Sequence, residues 1–371
     1  MGERFATRAA VVSRAILRRM GTPGLAHAPA HPRRILVAHH LLLGDTIMLS
    51  PLLAKLRASH PDAEIAMTVA PATAPLYAAR PWGVRALAFS PRDSSTLRPL
   101  LDEEPFDLAV VPGDNRHAWL AAAMGARHVV AHAGDVPATK NWFVDDARPY
   151  RDTPATWGDL VADLVDGVEP PPFARGDWPD PPAAITDRPR SPYAVLHVGA
   201  STALKRWLPE RWAALAAELS ARGLAVVWSA GPGEEPLVEA CDPGHRHAST
   251  AGRLDLAQLW HLLARAALVV SADTGVSHLG RATFAPTITL FGPGSAPLCG
   301  PGRFWRDSPW RALGEASFPC RDQAKLFRRD VAWVRRCARG TDECPEPRCM
   351  HAIGVQTVLA AADEFLARRA T

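Results

Sequence analysis

The sequence predicts an α/β protein made of two doubly wound halves, and three observations lead there. Short apolar runs alternate with helix-length segments between residues 34 and 130, the same alternation restarts at Tyr193, and a proline-dense stretch separates the two series. Strands that alternate with helices pair in parallel and are covered on both faces. A chain of 371 residues is long enough for two cores of ordinary domain size.

Residues 1–32 form an N-terminal extension. Wound at helical pitch, Arg4, Arg8, Arg14, Arg18 and Arg19 fall on one side, while Phe5, Val12, Ile16 and Met20 gather on the other. Val11 falls on the basic side and weakens the pattern. Three readings stay open: the apolar face laid on an anionic membrane such as the inner-membrane surface, the helix packed on the protein, or a frayed extension.

The first domain, 33–167, begins with "RILVAHH", a buried strand. Gly44-Asp45 follows, then an apolar-periodic segment from Thr46 to Ala58 that reads as one helix. Further strands are expected at Glu64 to Val69, Val84 to Phe89, Leu108 to Val111 and His128 to Val130. The connection, 168–192, carries "EPPPFARGDWPDPPAAITDRPRSP", whose prolines supply no amide donor and hold an extended backbone.

The second domain, 193–350, reads as the strands "YAVLHV", "LAVVWSA", "ALVVSA" and "PTITLFG", interleaved with helices at Pro209 to Arg222, Leu256 to Ala266 and Gly275 to Thr283. A C-terminal helix occupies 351–371. Two such domains facing across a cleft are expected to hold ligands beyond the carboxyl ends of their strands.

Composition narrows the function. Hydrophobic residues make up 47% and charged ones 22%, the balance of a globular protein. The 42 Lys and Arg against 38 Asp and Glu leave a formal charge of +4. That excess suits an anionic small ligand or surface and is too weak to imply nucleic acid. The sequence shows no bilayer-length apolar run and no secretory signal, so a cytoplasmic address is expected.

Four polar clusters follow strands in turn. "SADTGVSHLG" places Asp273, Thr274 and Gly275 between a strand and a helix, where free backbone amides and the helix dipole favour an anion. His278 lies one turn further, four residues after Thr274. An ordinary N-cap with a helix histidine fits this turn as well. "GASTALKRW" offers Ser201, Thr202 and Lys205 after its strand, "GPGEE" places Glu234 at a helix start, and Gly44-Asp45 follows "RILVAHHLLL".

Together these residues resemble glycosyltransferase family 9, the bacterial heptosyltransferases of the lipopolysaccharide inner core. The resemblance rests on "LGDTIMLSPLLAKLRASHPDAEI", "LHVGASTALKRWLPERWAALAAEL", "SAGPGEE" and "LARAALVVSADTGVSHLGRATFAPTITLFGP". It implies a GT-B fold of two Rossmann-like domains, the nucleotide-sugar donor held mainly by the C-terminal one and the acceptor by the other. It also implies an inverting, metal-independent transfer without a cofactor, with ADP-heptose as donor and a lipopolysaccharide core or lipid A-linked acceptor as partner.

On this resemblance Asp45 matches the base position and is favoured as the base, although capping a helix that starts at Thr46 is also compatible with the motif. Lys205 matches the lysine that contacts the diphosphate, with Gly44, Ser201, Thr202 and the Asp273-Thr274-Gly275 turn around the donor. Glu234 matches the ribose position, and His278 either bonds the phosphate or packs. One departure stands out: His39-His40-Leu41-Leu42-Leu43 replaces a basic side chain and small hydroxyls before Gly-Asp, and His39 is a cation only when protonated. A protein acceptor, as in the autotransporter heptosyltransferases, and an inactive nucleotide-sugar-binding scaffold are the competing readings. Retention of Asp45, Lys205 and Glu234 counts against the scaffold.

Cys320, Cys337, Cys344 and Cys349 cluster near the C-terminus with His351 close by. Four thiolates can hold zinc or iron, but no pair has the tight spacing of a metal knuckle. Reduced structural cysteines are the simpler expectation, with no metal assigned.

Overall fold

The computed structural model describes the chain apart from residues 1, 23, 184–187 and 371, and the side chains of residues 2–4, 369 and 370. Arg4 of the N-terminal basic face and part of the proline-dense connection therefore lie outside the described residues. The chain divides into two compact units, Met1–Pro171 with Lys325–Trp333, and Pro172–Ala324 with Val334–Thr371.

The first unit contains α1 (Gly2–Gly21), β1 (Arg34–Val37), α2 (Leu43–Ile47), α3 (Ser50–Ser59), β2 (Glu64–Val69), β3 (Val84–Ala88), α4 (Leu97–Leu101), β4 (Leu108–Val111), α5 (Arg116–Ala123), β5 (Val129–His132), β6 (Asp146–Arg148) and α6 (Trp157–Ala162). Its described strands form a parallel sheet in the order β3-β2-β1-β4-β5-β6. Ile35, Leu36, Val37, Val110 and Val111 are fully buried, as strands covered on both faces must be.

The helix expected from Thr46 to Ala58 is two helices. It breaks at Met48-Leu49, where Pro51 enters the first turn of α3, a position that requires no amide donor. Lys325–Trp333 joins this unit although it follows most of the second in sequence. Its Arg329 is 3% exposed and donates to the carbonyls of Gly113, His132 and Ala133 and to Asn115 Oδ1.

The second unit contains β7 (Tyr193–His197), α7 (Pro209–Ala221), β8 (Ala225–Ser229), α8 (Glu235–Cys241), β9 (Ala248–Ser249), α9 (Leu256–Ala264), β10 (Leu268–Ala272), α10 (Gly275–Ala282), β11 (Thr287–Leu290) and β12 (Trp310–Leu313). Its sheet is parallel in the order β12-β11-β10-β7-β8-β9. Numbered from each unit's own first strand, both sheets read 3-2-1-4-5-6, the order of a Rossmann fold. The helix Val355–Ala370 packs on α7 and on the β10 to β12 half of this sheet. The connection packs here too, with Phe173 against Trp305 and Trp178 against Trp260.

Candidate active site

In the second sheet the chain reverses its direction of growth between β7 and β10, which leaves a crevice at their carboxyl ends. The turn after β7 supplies Lys205 and the turn after β10 supplies Asp273. Lys205 Nζ donates to the Asp273 main-chain oxygen at 2.8 Å and to its Oδ2 at 2.9 Å, tying the two turns together. Asp273 is nearly buried, whereas about a quarter of the Lys205 side chain remains exposed. Asp273 thus shapes the turn and offsets the lysine charge.

Thr274 is the N-cap of α10 in extended conformation, yet its side chain makes no capping bond. Its Oγ1 is buried without a hydrogen-bond partner. Native interiors leave few such groups unpaired, and this hydroxyl lies beside the amides that open a helix, where the dipole favours an anion.

His278 is 6% exposed and its Nδ1 lies 2.9 Å from Arg281 Nη2. Burial, and then the charges of Arg281 and Lys205, hold its pKa well below the usual histidine value. The imidazole is therefore neutral, and because Arg281 can only donate, Nδ1 accepts and Nε2 carries the proton. Arg281 itself is fully buried between Trp305 and Trp310, with ring distances of 5.2 and 5.5 Å. Burial pushes its guanidinium down to about 10, which leaves it charged at neutral pH. The sequence reading passed over Arg281; its only sequence signal is a cation three residues after His278 on the buried face of α10.

Glu234 closes the adjoining turns. Its Oε1 accepts from Ala200 N at 3.1 Å and its Oε2 from Gly231 N at 2.9 Å. A Cβ at Gly199 would overlap that carboxylate, so glycine is what permits the approach. Thr202 caps the short turn before Lys205 by accepting from Leu204 N, and Ser201 is exposed beside it.

The first unit brings different chemistry to its strand ends. Asp45 stands within the first turn of α2, which begins at Leu43 behind the N-cap Leu42. The expected capping role at Thr46 is displaced: Asp45 sits inside the helix as a half-buried acid, favoured there by the dipole. Gly44 precedes it in the same turn. His39 is 1% exposed, accepts from Leu41 N through Nδ1, and leaves Nε2 buried without a partner. Burial, with His117 and His40 nearby, keeps it well below the usual pKa, so it does not replace a basic side chain at neutral pH.

Beyond β4 and β5 lies a closed ionic network that the sequence did not reveal. Lys140 Nζ bonds Asp114 Oδ2 at 3.0 Å and Asp135 Oδ1 at 2.9 Å, and Asn115 N donates to Asp135 Oδ2.

Among the described residues, the group of three or more His, Cys, Asp or Glu ligand atoms within 4.8 Å is Asp273, His278 and Cys299. Lys205 and Arg281 already bind the first two, and two cations oppose a metal ion there. Cys320, Cys337, Cys344 and Cys349 are free thiols that do not close to that spacing. Burial, with Cys320 and Cys337 nearby, raises the Cys349 thiol.

Two Rossmann-type units, one with a lysine and a helix N-terminus converging at its switch point, define a doubly wound α/β protein suited to an anionic ligand. Residues 96–312 match the model of glycosyltransferase family 9 (heptosyltransferase), and the chain belongs to that family. The lipopolysaccharide heptosyltransferase 1 of Pseudomonas aeruginosa is 30% identical over 208 residues, 52% of this chain and 56% of that protein. The chain spans about half or less of the length of the curated relatives it matches.

Two solved structures share the fold. A family 9 glycosyl transferase from Veillonella parvula aligns with a TM-score of 0.70 at 17% identity, covering 93% of this chain and 100% of that one. The ADP-heptose lipopolysaccharide heptosyltransferase II of Escherichia coli aligns at 0.68 and 18% identity, covering 91% and 100%. Both support the GT-B-like architecture of two Rossmann units.

Proposed function

We propose that this chain is an inverting heptosyltransferase that moves heptose from ADP-heptose to a lipopolysaccharide core acceptor on the cytoplasmic side of the membrane. The observation that carries the reading is the Lys205–Asp273 pair joining the two switch-point turns beside the unpaired Thr274 hydroxyl and α10. The names of the family 9 relatives supply the donor and the acceptor class.

The chemistry follows from the charges that develop. The acceptor hydroxyl oxygen attacks the anomeric carbon, its proton passes to the Asp45 carboxylate, and the bond from that carbon to the β-phosphate oxygen breaks with its electron pair leaving on ADP. Attack opposite the leaving group inverts the configuration. Preformed donors where charge gathers lower the barrier most. Lys205 supplies a point charge to the diphosphate, Thr274 and the Gly275 amide supply hydrogen bonds, and His278 donates from Nε2. Ser201 and Thr202 border the phosphates, Glu234 receives the ribose hydroxyls on the free lone pairs of its carboxylate, and Gly44 lets the donor approach the backbone.

Purified protein titrated in a thermal-shift assay with ADP, UDP and GDP should be stabilised selectively by ADP, since a ligand of the folded state raises its stability by mass action. ADP-heptose and extracted core should then yield ADP and heptosylated lipid. A selective response to UDP or GDP would move the donor, and heptose recovered on protein alone would move the acceptor.

A further inference from the structure

Helix α1 leaves its largest apolar side chains in water, unlike an ordinary surface helix. Such helices bury their apolar stripe and turn charge to water. In α1 the inward side holds only small or short side chains, buried Thr7 and Ala15 and partly buried Val11, with Ala15 packed on Ala122 and Ala123 of α5. Arginines clamp this side down. Arg14 Nη2 donates to the Leu101 carbonyl at 2.6 Å, and Arg19 bonds both oxygens of Asp145 at 3.2 and 2.6 Å.

The apolar side faces outward. Phe5 is 75% exposed, Leu17 69%, Met20 77% and Ile16 42%. At helical pitch these four span an arc of about 120° along one face. Trp142, 68% exposed, lies 5.8 Å from Trp119, which packs in the same cluster as Ala15. Each large apolar side chain left in water forgoes about 1.5–3 kcal/mol of burial.

We propose that this face of α1 is a docking surface for an anionic lipid bilayer, with the helix lying in the plane of the interface. Charge points to lipid: the α1 sequence carries five arginines against one acid, Glu3, and while Arg14 and Arg19 hold the helix on the protein, exposed Arg8 flanks the apolar arc. Area points away from a second copy of the chain. Four side chains on one helix present on the order of a few hundred Å², short of the roughly 800 Å² per partner of a stable dimer. Among the described residues no helix is long and apolar enough to cross a membrane, so the contact is in-plane. The arginine clamps fix the helix before it meets lipid, so docking does not require it to fold on contact.

The inference stands apart from the transfer reading, because lipid binding is measured with no substrate present. The full chain is sedimented with sucrose-loaded vesicles of phosphatidylcholine and phosphatidylglycerol at three to one, and with phosphatidylcholine alone. Wild type should pellet with the anionic vesicles, and F5S/L17S/M20S should lose about tenfold or more of that partition while keeping its melting temperature and its response to ADP. If the triple variant unfolds, Leu17→Ser alone carries the test with a drop of a few-fold. Partition equal to wild type in a folded variant overturns the proposal. So does a wild type that ignores both vesicles, whether it sediments as a monomer or as a dimer that the substitutions dissolve.

Discussion

The two units share one strand order and differ in what they place at its switch point. In the second unit the turns after β7 and β10 are joined by a partly exposed lysine, with an unpaired hydroxyl at a helix start. In the first, the turns after β1 and β4 carry a neutral buried histidine, His39, and the aspartate network of Lys140. Topology alone therefore does not distribute function between the halves; the side chains at equivalent strand ends do. At these strand ends the second unit leaves a lysine partly exposed, whereas the first holds Lys140 between Asp114 and Asp135.

The sharpest way to break this comparison is to exchange the deficits. Asp45→Asn should lower kcat by on the order of 10² to 10⁴, the range of a lost general base, while ADP affinity stays within a few-fold. Lys205→Ala should do the reverse in binding, weakening ADP by about 10- to 100-fold, as expected for a charge-assisted contact of roughly 1.5–3 kcal/mol. Calorimetric titration and steady-state kinetics on both variants read the contrast. An Asp45→Asn enzyme that turns over normally, or a Lys205→Ala protein that binds ADP as wild type, would collapse the division of labour.

That division was partly legible in the sequence. Short continuous apolar runs and the residues after them located most strands, and "ADTG" announced a helix start because glycine follows a capping-type residue at a strand end. The short edge strands Asp146–Arg148, Ala248–Ser249 and Trp310–Leu313 were missed, since two to four residues of mixed polarity leave no period to read. Arg281 was missed because a buried cation is invisible until its two tryptophans are seen around it. Membership of Lys325–Trp333 in the first unit is a matter of long-range pairing, through Arg329, that no local pattern encodes. The orientation of α1 was undecidable for a related reason: the wheel separates its faces, but only Leu101, Asp145 and the alanines of α5 decide which one turns inward.

What the units have in common is also testable. Each ends a strand on a buried neutral histidine, His132 on β5 and His197 on β7. Burial, and for His132 the nearby Arg329, lowers their pKa values to about 3 and about 4. Unfolded histidine titrates near 6.5, so between that pH and the folded value the unfolded chain binds more protons and stability falls as pH falls. At pH 5 each histidine should cost about 2 kcal/mol relative to pH 7.5, a window that lies above most carboxylate titration. Urea midpoints between pH 7.5 and 5 should drop accordingly, and His197→Asn should flatten the slope. An unchanged slope in that variant would show that β7 does not contribute to the acid sensitivity.

The smallest expected effect separates a ligand site from a packing site within the second unit. Thr274→Val keeps the β-branched shape and removes only the hydroxyl, which makes no capping bond and has no partner. An unsatisfied buried polar group costs about 1–3 kcal/mol, so its removal should leave the ligand-free protein as stable as wild type or slightly more so. If the hydroxyl waits for a phosphate oxygen, the same change should weaken ADP by a few-fold, opposite in sign to its effect on stability. A residue that served packing alone would move both quantities together or neither. Melting temperatures recorded with and without saturating ADP would therefore converge in Thr274→Val relative to wild type, and a gap that stays as wide would assign the cradle to Lys205 and the α10 amides without it.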